Sequence, residues 1–140
     1  MDILELYRKH NRFGELMGMD FKVTEPGTVT YFLTIKPEHL ATPLAAHGGL
    51  ISAFMDGIIG VAALSSVSME KKVVSTIEFK INYLSPALLN DELVGIGKVI
   101  QKGNRIIISE GEIKCTNRND ILIAKAIGTF NAYPAEKINF

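Results

Sequence analysis

At 140 residues, 47% of them apolar, the chain is long enough to bury one substantial core and too short for two domains of ordinary size. Fifteen basic residues balance fifteen acidic ones, which excludes the one-sided charge of a nucleic-acid-binding face or of a basic membrane-seeking surface. The single cysteine, Cys115, excludes an intrachain disulfide and a cysteine-built metal cluster within one chain; it falls in a strand-like run and is read as packing. The acidic start Met1-Asp2-Ile3-Leu4-Glu5 lacks the apolar core of a signal peptide, so a cytoplasmic protein is expected.

Asp2 followed three residues later by Glu5 is a capping box, and Ile3, Leu6, Tyr7, His10, Phe13 and Leu16 give a rough helical stripe ending near Gly18. Phe21–Glu25 and Thr28–Ile35 alternate apolar and polar residues around the turn dipeptide Pro26-Gly27, which predicts a hairpin. Residues 36–46 carry Pro37 and Pro43 without a clean period and read as a loop. A long apolar helix follows from His47 to about Ser68. Four strand-like runs close the chain, Val73–Leu84, Glu92–Gln101, Arg105–Thr116 and Ile121–Asn131, with turn residues between them. In the first, Ile77, Phe79, Ile81 and Tyr83 share one face and Thr76, Glu78, Lys80 and Asn82 the other. The short connections leave no room for parallel crossovers, so the expected fold is α+β in one domain over residues 1–140, a four-strand meander and a hairpin forming an antiparallel sheet around the central helix.

Within that helix Asp56 stands alone among Ser52, Ala53, Ile59 and Gly60 at helical spacing, with no Lys or Arg to pair with it. An unpaired carboxylate among apolar neighbours costs several kcal/mol to bury, so it must be paired, protonated or kept beside a wet cleft for chemistry. The plainer alternative is a residue on the one solvent-facing side of the helix. The apolar run approaches the roughly 20 residues of a membrane span. Four glycines, a central acid and the surrounding strand patterns favour a helix wrapped by a sheet instead.

His47-Gly48-Gly49, Asp56 nine residues after the histidine, and a strand leaving through Ile81-Asn82-Tyr83-Leu84-Ser85-Pro86-Ala87 together resemble the hot dog fold acyl-CoA thioesterases, in particular the phenylacetate-pathway-like branch of the 4-hydroxybenzoyl-CoA thioesterase superfamily. The resemblance covers nearly the whole chain and implies an antiparallel sheet wrapped around one long helix. It implies hydrolysis of an acyl-CoA thioester, with coenzyme A entering only as part of the substrate and no metal or further cofactor. Asp56 matches the family carboxylate, a nucleophile or a general base. Gly48 matches the residue whose backbone N–H polarises the thioester carbonyl, a task suited to the unpaired donors and positive dipole end of a first helical turn. His47 matches the histidine beside that carbonyl, or a simple helix cap. Thr76 matches a hydroxyl that holds water or the carboxylate, or is an ordinary strand former. Similar proteins pair edge to edge as homodimers, often as homotetramers, and share the site between chains.

Two positions depart from the branch: Ala41 and Leu44 stand where many members carry Asn and Gly. For coenzyme A contacts the candidates are Gly49 and the hairpin Lys102-Gly103-Asn104-Arg105, whose cations and backbone N–H groups suit phosphate, with Lys71 and Lys72 beyond them. The rival reading is a non-catalytic acyl-CoA-binding or sensor module, favoured by Ala41 and opposed by the cost of keeping Asp56. A hydroxyacyl-thioester dehydratase is disfavoured because Gly48 follows His47 directly and no Pro-Gly precedes the helix. Phe13, Phe54, Met55, Ile58 and Ile59 are either an acyl pocket or ordinary core.

Overall fold

The computed structural model describes residues 2–140. Its first two elements are α1 (Ile3–His10) and α2 (Arg12–Met17), where one helix was expected. The capping box is present, with the Glu5 N–H donating to Asp2 and the Asp2 N–H to the Glu5 carboxylate. The break falls at Asn11, whose non-helical backbone (ψ 70°) ends α1 while its side chain accepts from the Gly14 N–H and starts α2. Gly18, at φ 80°, stops α2 in the left-handed conformation that favours glycine.

The hairpin β1 (Asp20–Glu25) and β2 (Thr28–Thr34) leads through a loop to α3 (Gly48–Val67), followed by β3 (Lys72–Tyr83), β4 (Glu92–Lys102), β5 (Ile106–Cys115) and β6 (Ile121–Pro134). All six strands form one antiparallel sheet in the order β1-β2-β4-β5-β6-β3. Only β4, β5 and β6 form the expected meander. β3 lies at the far edge, paired with β6 rather than β4. Residues 84–91 make this possible by running across the end of the sheet: Leu84 and Ser85 donate to the Ile123 carbonyl, Leu89 to Leu44 and Asn90 to Ile35. Asp91 at the end of this span is nearly buried, takes two hydrogen bonds from Arg118 (2.9 and 2.7 Å) and one from the Leu88 N–H, and Arg118 also donates to the Pro86 carbonyl.

The sheet curls over α3. Phe54, Met55, Ile58 and Ile59 are fully buried against its concave face, each contributing about 1.5–3 kcal/mol of apolar burial. Close approach is set by the paired glycines Gly97 and Gly111: a Cβ at Gly97 would lie 2.5 Å from the Ile58 carbonyl oxygen. The segment Gly48–Glu70 is long and apolar enough to cross a membrane, but 67% of its apolar 18-residue window is buried within the fold. The strip that the sheet leaves partly open carries Ser52, Ala53, Asp56, Gly57 and Gly60.

β3 contains a bulge. Thr76 pairs with Phe130 and Glu78 with Thr129, so Ile77 is an extra residue without a partner. The simple alternation expected for this strand therefore fails at one place: Thr76 is carried to the concave side together with Phe79 and Ile81, while Ile77 becomes an exposed edge residue. Among the described residues the outer edge of β3 carries no neighbouring strand.

Candidate active site

The bulge brings two predicted site residues together. Thr76 Oγ1 donates to Asp56 Oδ1 at 2.8 Å. Asp56 is half-buried and makes no ion pair among the described residues, so its carboxylate is held by a hydroxyl rather than neutralised by a cation. It opens onto a cavity of about 360 Å³ between α3, β3 and the N-terminal helices. Tyr31 of β2, fully buried, and Tyr7 of α1, partly buried, also line it. Burial pushes the Tyr7 hydroxyl pKa up, the Asp56 charge adds to this, and Tyr31 opposes it; burial and then Tyr7 push Tyr31 up as well. Both hydroxyls therefore remain neutral donors at physiological pH.

His47 is the N-cap of α3: its backbone is extended (φ −64°, ψ 135°) and Nδ1 accepts from the Gly49 N–H at 2.7 Å. That bond satisfies Gly49 and leaves the Gly48 N–H without an acceptor among the described residues, at the positive end of a 20-residue helix. Tyr83 supports this turn, donating to the Gly48 carbonyl at 3.2 Å and hydrogen-bonding Ser52. Gly48 and Asp56 are eight residues apart on α3, about 12 Å along the axis at ~1.5 Å per residue. One chain therefore cannot apply both to the same atom.

The hairpin expected to bind phosphate is divided. Lys102 donates to the Ser66 carbonyl and pairs with Glu70, and the Gly103 N–H closes the turn onto the Ile106 carbonyl at 2.8 Å, so neither is free. Asn104 offers its carbonyl to Lys72. Arg105 instead joins Lys137 and Lys72, the latter also pairing with Glu70 at 3.6 Å, around a cleft of about 370 Å³ with no acidic lining residue among the described residues. Lys137 could not be placed there from sequence, because it lies far away in the chain and nothing in its surroundings has a period. Tyr7, Tyr31 and Tyr83 were missed as site residues because each sits in an apolar stripe that reads as core. Of the five apolar residues considered for an acyl pocket, only Phe13 lines the cavity. Among the described residues no group of three or more His, Cys, Asp or Glu is arranged to hold a metal.

The model of the thioesterase superfamily matches residues 45–121, the span from the loop before α3 to the start of β6. The chain belongs to the thioesterase superfamily. A protein of Saccharolobus solfataricus bearing an esterase name is 30% identical over 91% of this thioesterase and 88% of its own length. Human acyl-coenzyme A thioesterase 13 is 24% identical over 80% and 79% of the two chains. Among solved structures, the Escherichia coli PaaI protein from the phenylacetic acid degradation operon superposes with a TM-score of 0.84 over 93% of this chain and 90% of that one, at 17% identity, which establishes the hot dog fold. The enzyme is accordingly a thioester hydrolase, and its matched span contains His47, Gly48, Asp56 and Thr76.

Proposed function

We propose that this thioesterase hydrolyses acyl-coenzyme A esters, with Asp56 as the carboxylate that drives attack on the thioester carbon. The observation that carries the reading is the Thr76–Asp56 hydrogen bond at the mouth of a largely apolar cavity: a carboxylate without a cation, held in one orientation beside space for an acyl group. Asp56 either removes a proton from water as it attacks or attacks directly to give an anhydride that water opens. In both routes one water is consumed, the C–S bond breaks, and the products are the free acid and the coenzyme A thiol. Label in the Asp56 side chain after a single turnover in H₂¹⁸O identifies the direct route, with water opening the anhydride at Cγ.

The developing oxyanion is taken by the Gly48 N–H, which His47 leaves free by capping Gly49. Because Gly48 and Asp56 of one chain lie about 12 Å apart, the donor comes from a second copy. The free twelve-residue edge of β3, with Ile77 and Tyr83 about half exposed, supports an edge-to-edge homodimer, since such an edge is a template for a further strand. Exposed Ile96 and Ile127 on the outer sheet face suit dimers stacking into a homotetramer. Coenzyme A phosphates are assigned to Lys72, Arg105 and Lys137 rather than to the whole hairpin. Lys72 lies four residues from Thr76 on β3, about 13 Å at ~3.3 Å per residue, a span within reach of the pantetheine arm.

Thiol release from a panel of acyl-CoA esters by the wild type and by Asp56→Asn tests the reading. Loss of turnover in a folded Asp56→Asn protein is expected. Full activity in that variant refutes the role of Asp56. A wild type that gains thermal stability from the esters without releasing thiol is a binding module instead.

A further inference from the structure

We propose that the cavity beside Asp56 is a channel for a linear medium-chain acyl group of roughly eight to ten carbons, its length read by the turn of α3 at Gly60. This rests on the thioesterase reading and adds the class of acid it releases. Asp56, Gly57, Gly60, Val61 and Leu64 all line the cavity, and they recur at helical spacing on one face of α3. From Asp56 to Leu64 that face runs about 12 Å. The far end is lined by Val73, buried with Leu64 in one cluster, and by Phe140, partly buried against it, and Phe13 and Tyr7 roof the side. Among the described residues Asp56 is the only charged one in the lining. A zigzag chain advances about 3.8 Å per three bonds, as successive Cα atoms do, so a channel of ~12 Å takes about nine bonds beyond the thioester carbon.

Gly60 lies midway along that face. It lies one turn, about 6 Å, beyond Asp56, and its missing side chain leaves the channel continuous. A Cβ there would rest 3.5 Å from Phe130 Cε2, an ordinary contact on a helical backbone, so the position accepts a side chain without strain. Anything longer than that Cβ projects into the channel and leaves space for about five carbons.

The test is kcat/KM for acetyl-, butanoyl-, octanoyl-, decanoyl-, hexadecanoyl- and phenylacetyl-coenzyme A with the wild type, Gly60→Ala and Gly60→Leu. Wild-type kcat/KM is expected to rise about fourfold per methylene up to roughly ten carbons and then to level or fall. Gly60→Leu should lower the octanoyl-to-butanoyl ratio by about sixtyfold, the loss of roughly three buried methylenes. Gly60→Ala should lower it by about fourfold, and serves as the comparison if Gly60→Leu turns over nothing. An unchanged ratio in a variant that still cleaves the butanoyl ester overturns the channel. So does a wild-type rate still climbing at sixteen carbons, or a phenylacetyl ester that outruns octanoyl. A wild type that releases no thiol from any ester overturns the thioesterase reading itself and the channel with it.

Discussion

Replacing Gly48 by proline deletes a single N–H and little else. Gly48 is the first residue of α3, the one helical position where proline is favoured, because its φ suits the helix and its N–H has no partner within the helix. His47 already has the extended backbone that a following proline requires, and a Cβ at Gly48 would sit 3.8 Å from the Tyr83 ring. The fold should therefore be unaffected, with the melting temperature within about 2 °C of wild type, less than 1 kcal/mol on the usual scaling for a domain of this size. The reaction should not be: loss of one oxyanion donor costs about 2.7–4 kcal/mol of transition-state stabilisation, or roughly a hundred- to a thousandfold in kcat. Gly48→Ala keeps the N–H, meets only the same Tyr83 contact and should stay within a few-fold of wild type. Steady-state thiol release with calorimetric melting of all three proteins is the assay. Equal activity in the proline and alanine variants would refute the donor role; a loss of rate explained by unfolding would refute the fit of proline to the first turn of α3.

Thr76→Val should lower kcat by about tenfold at unchanged KM, because a charge-assisted hydrogen bond at a partly wet site is worth ~1.5 kcal/mol, and Thr76→Ser should restore it; a serine variant as slow as the valine one would remove Thr76 from the mechanism. Arg118→Met leaves Asp91 buried beside one backbone donor and should cost about 2–4 kcal/mol in denaturant unfolding. Burial opposes ionisation of Asp91, but the Arg118 bonds and the Leu88 N–H prevail and hold its pKa below the usual carboxylate value. Its stabilisation is therefore complete above about pH 4 and lost as the pH falls through the lower folded value, so the gap between wild type and Arg118→Met should narrow in acid. Gly97→Ala should destabilise by about 1–3 kcal/mol or more, since the added methyl meets the Ile58 carbonyl oxygen rather than a side chain that can turn away; an unchanged midpoint would show that α3 can lift off the sheet.

The helix, its start at His47 and the isolation of Asp56 were legible because they are local: a period, a cap and the absence of a counter-ion within four residues. The strand limits were legible for the same reason. The place of β3 was not, because strand order depends on where residues 84–91 travel, and the hydrogen bonds fixing that path run to Ile35, Leu44 and Ile123, all distant in sequence. The bulge at Ile77 was hidden as well, since an unbroken alternation and one extra residue look alike until a partner strand counts them. It is nonetheless the feature that lets Thr76 reach Asp56. Lys102 and Arg105 differ by only three positions, yet Glu70 claims the first and leaves the second to a cluster completed by Lys137.

The 12 Å between Gly48 and Asp56 gives the enzyme a genetics. If the proposed homodimer shares its sites between chains, Gly48→Pro and Asp56→Asn should each be inactive alone, whereas in a mixed dimer both lesions would fall in one site and leave the other whole. Equal mixing with free exchange places half of the chains' pairings in mixed dimers, so about a quarter of wild-type activity should return from two inactive preparations. A site contained in one chain could never be rescued in this way.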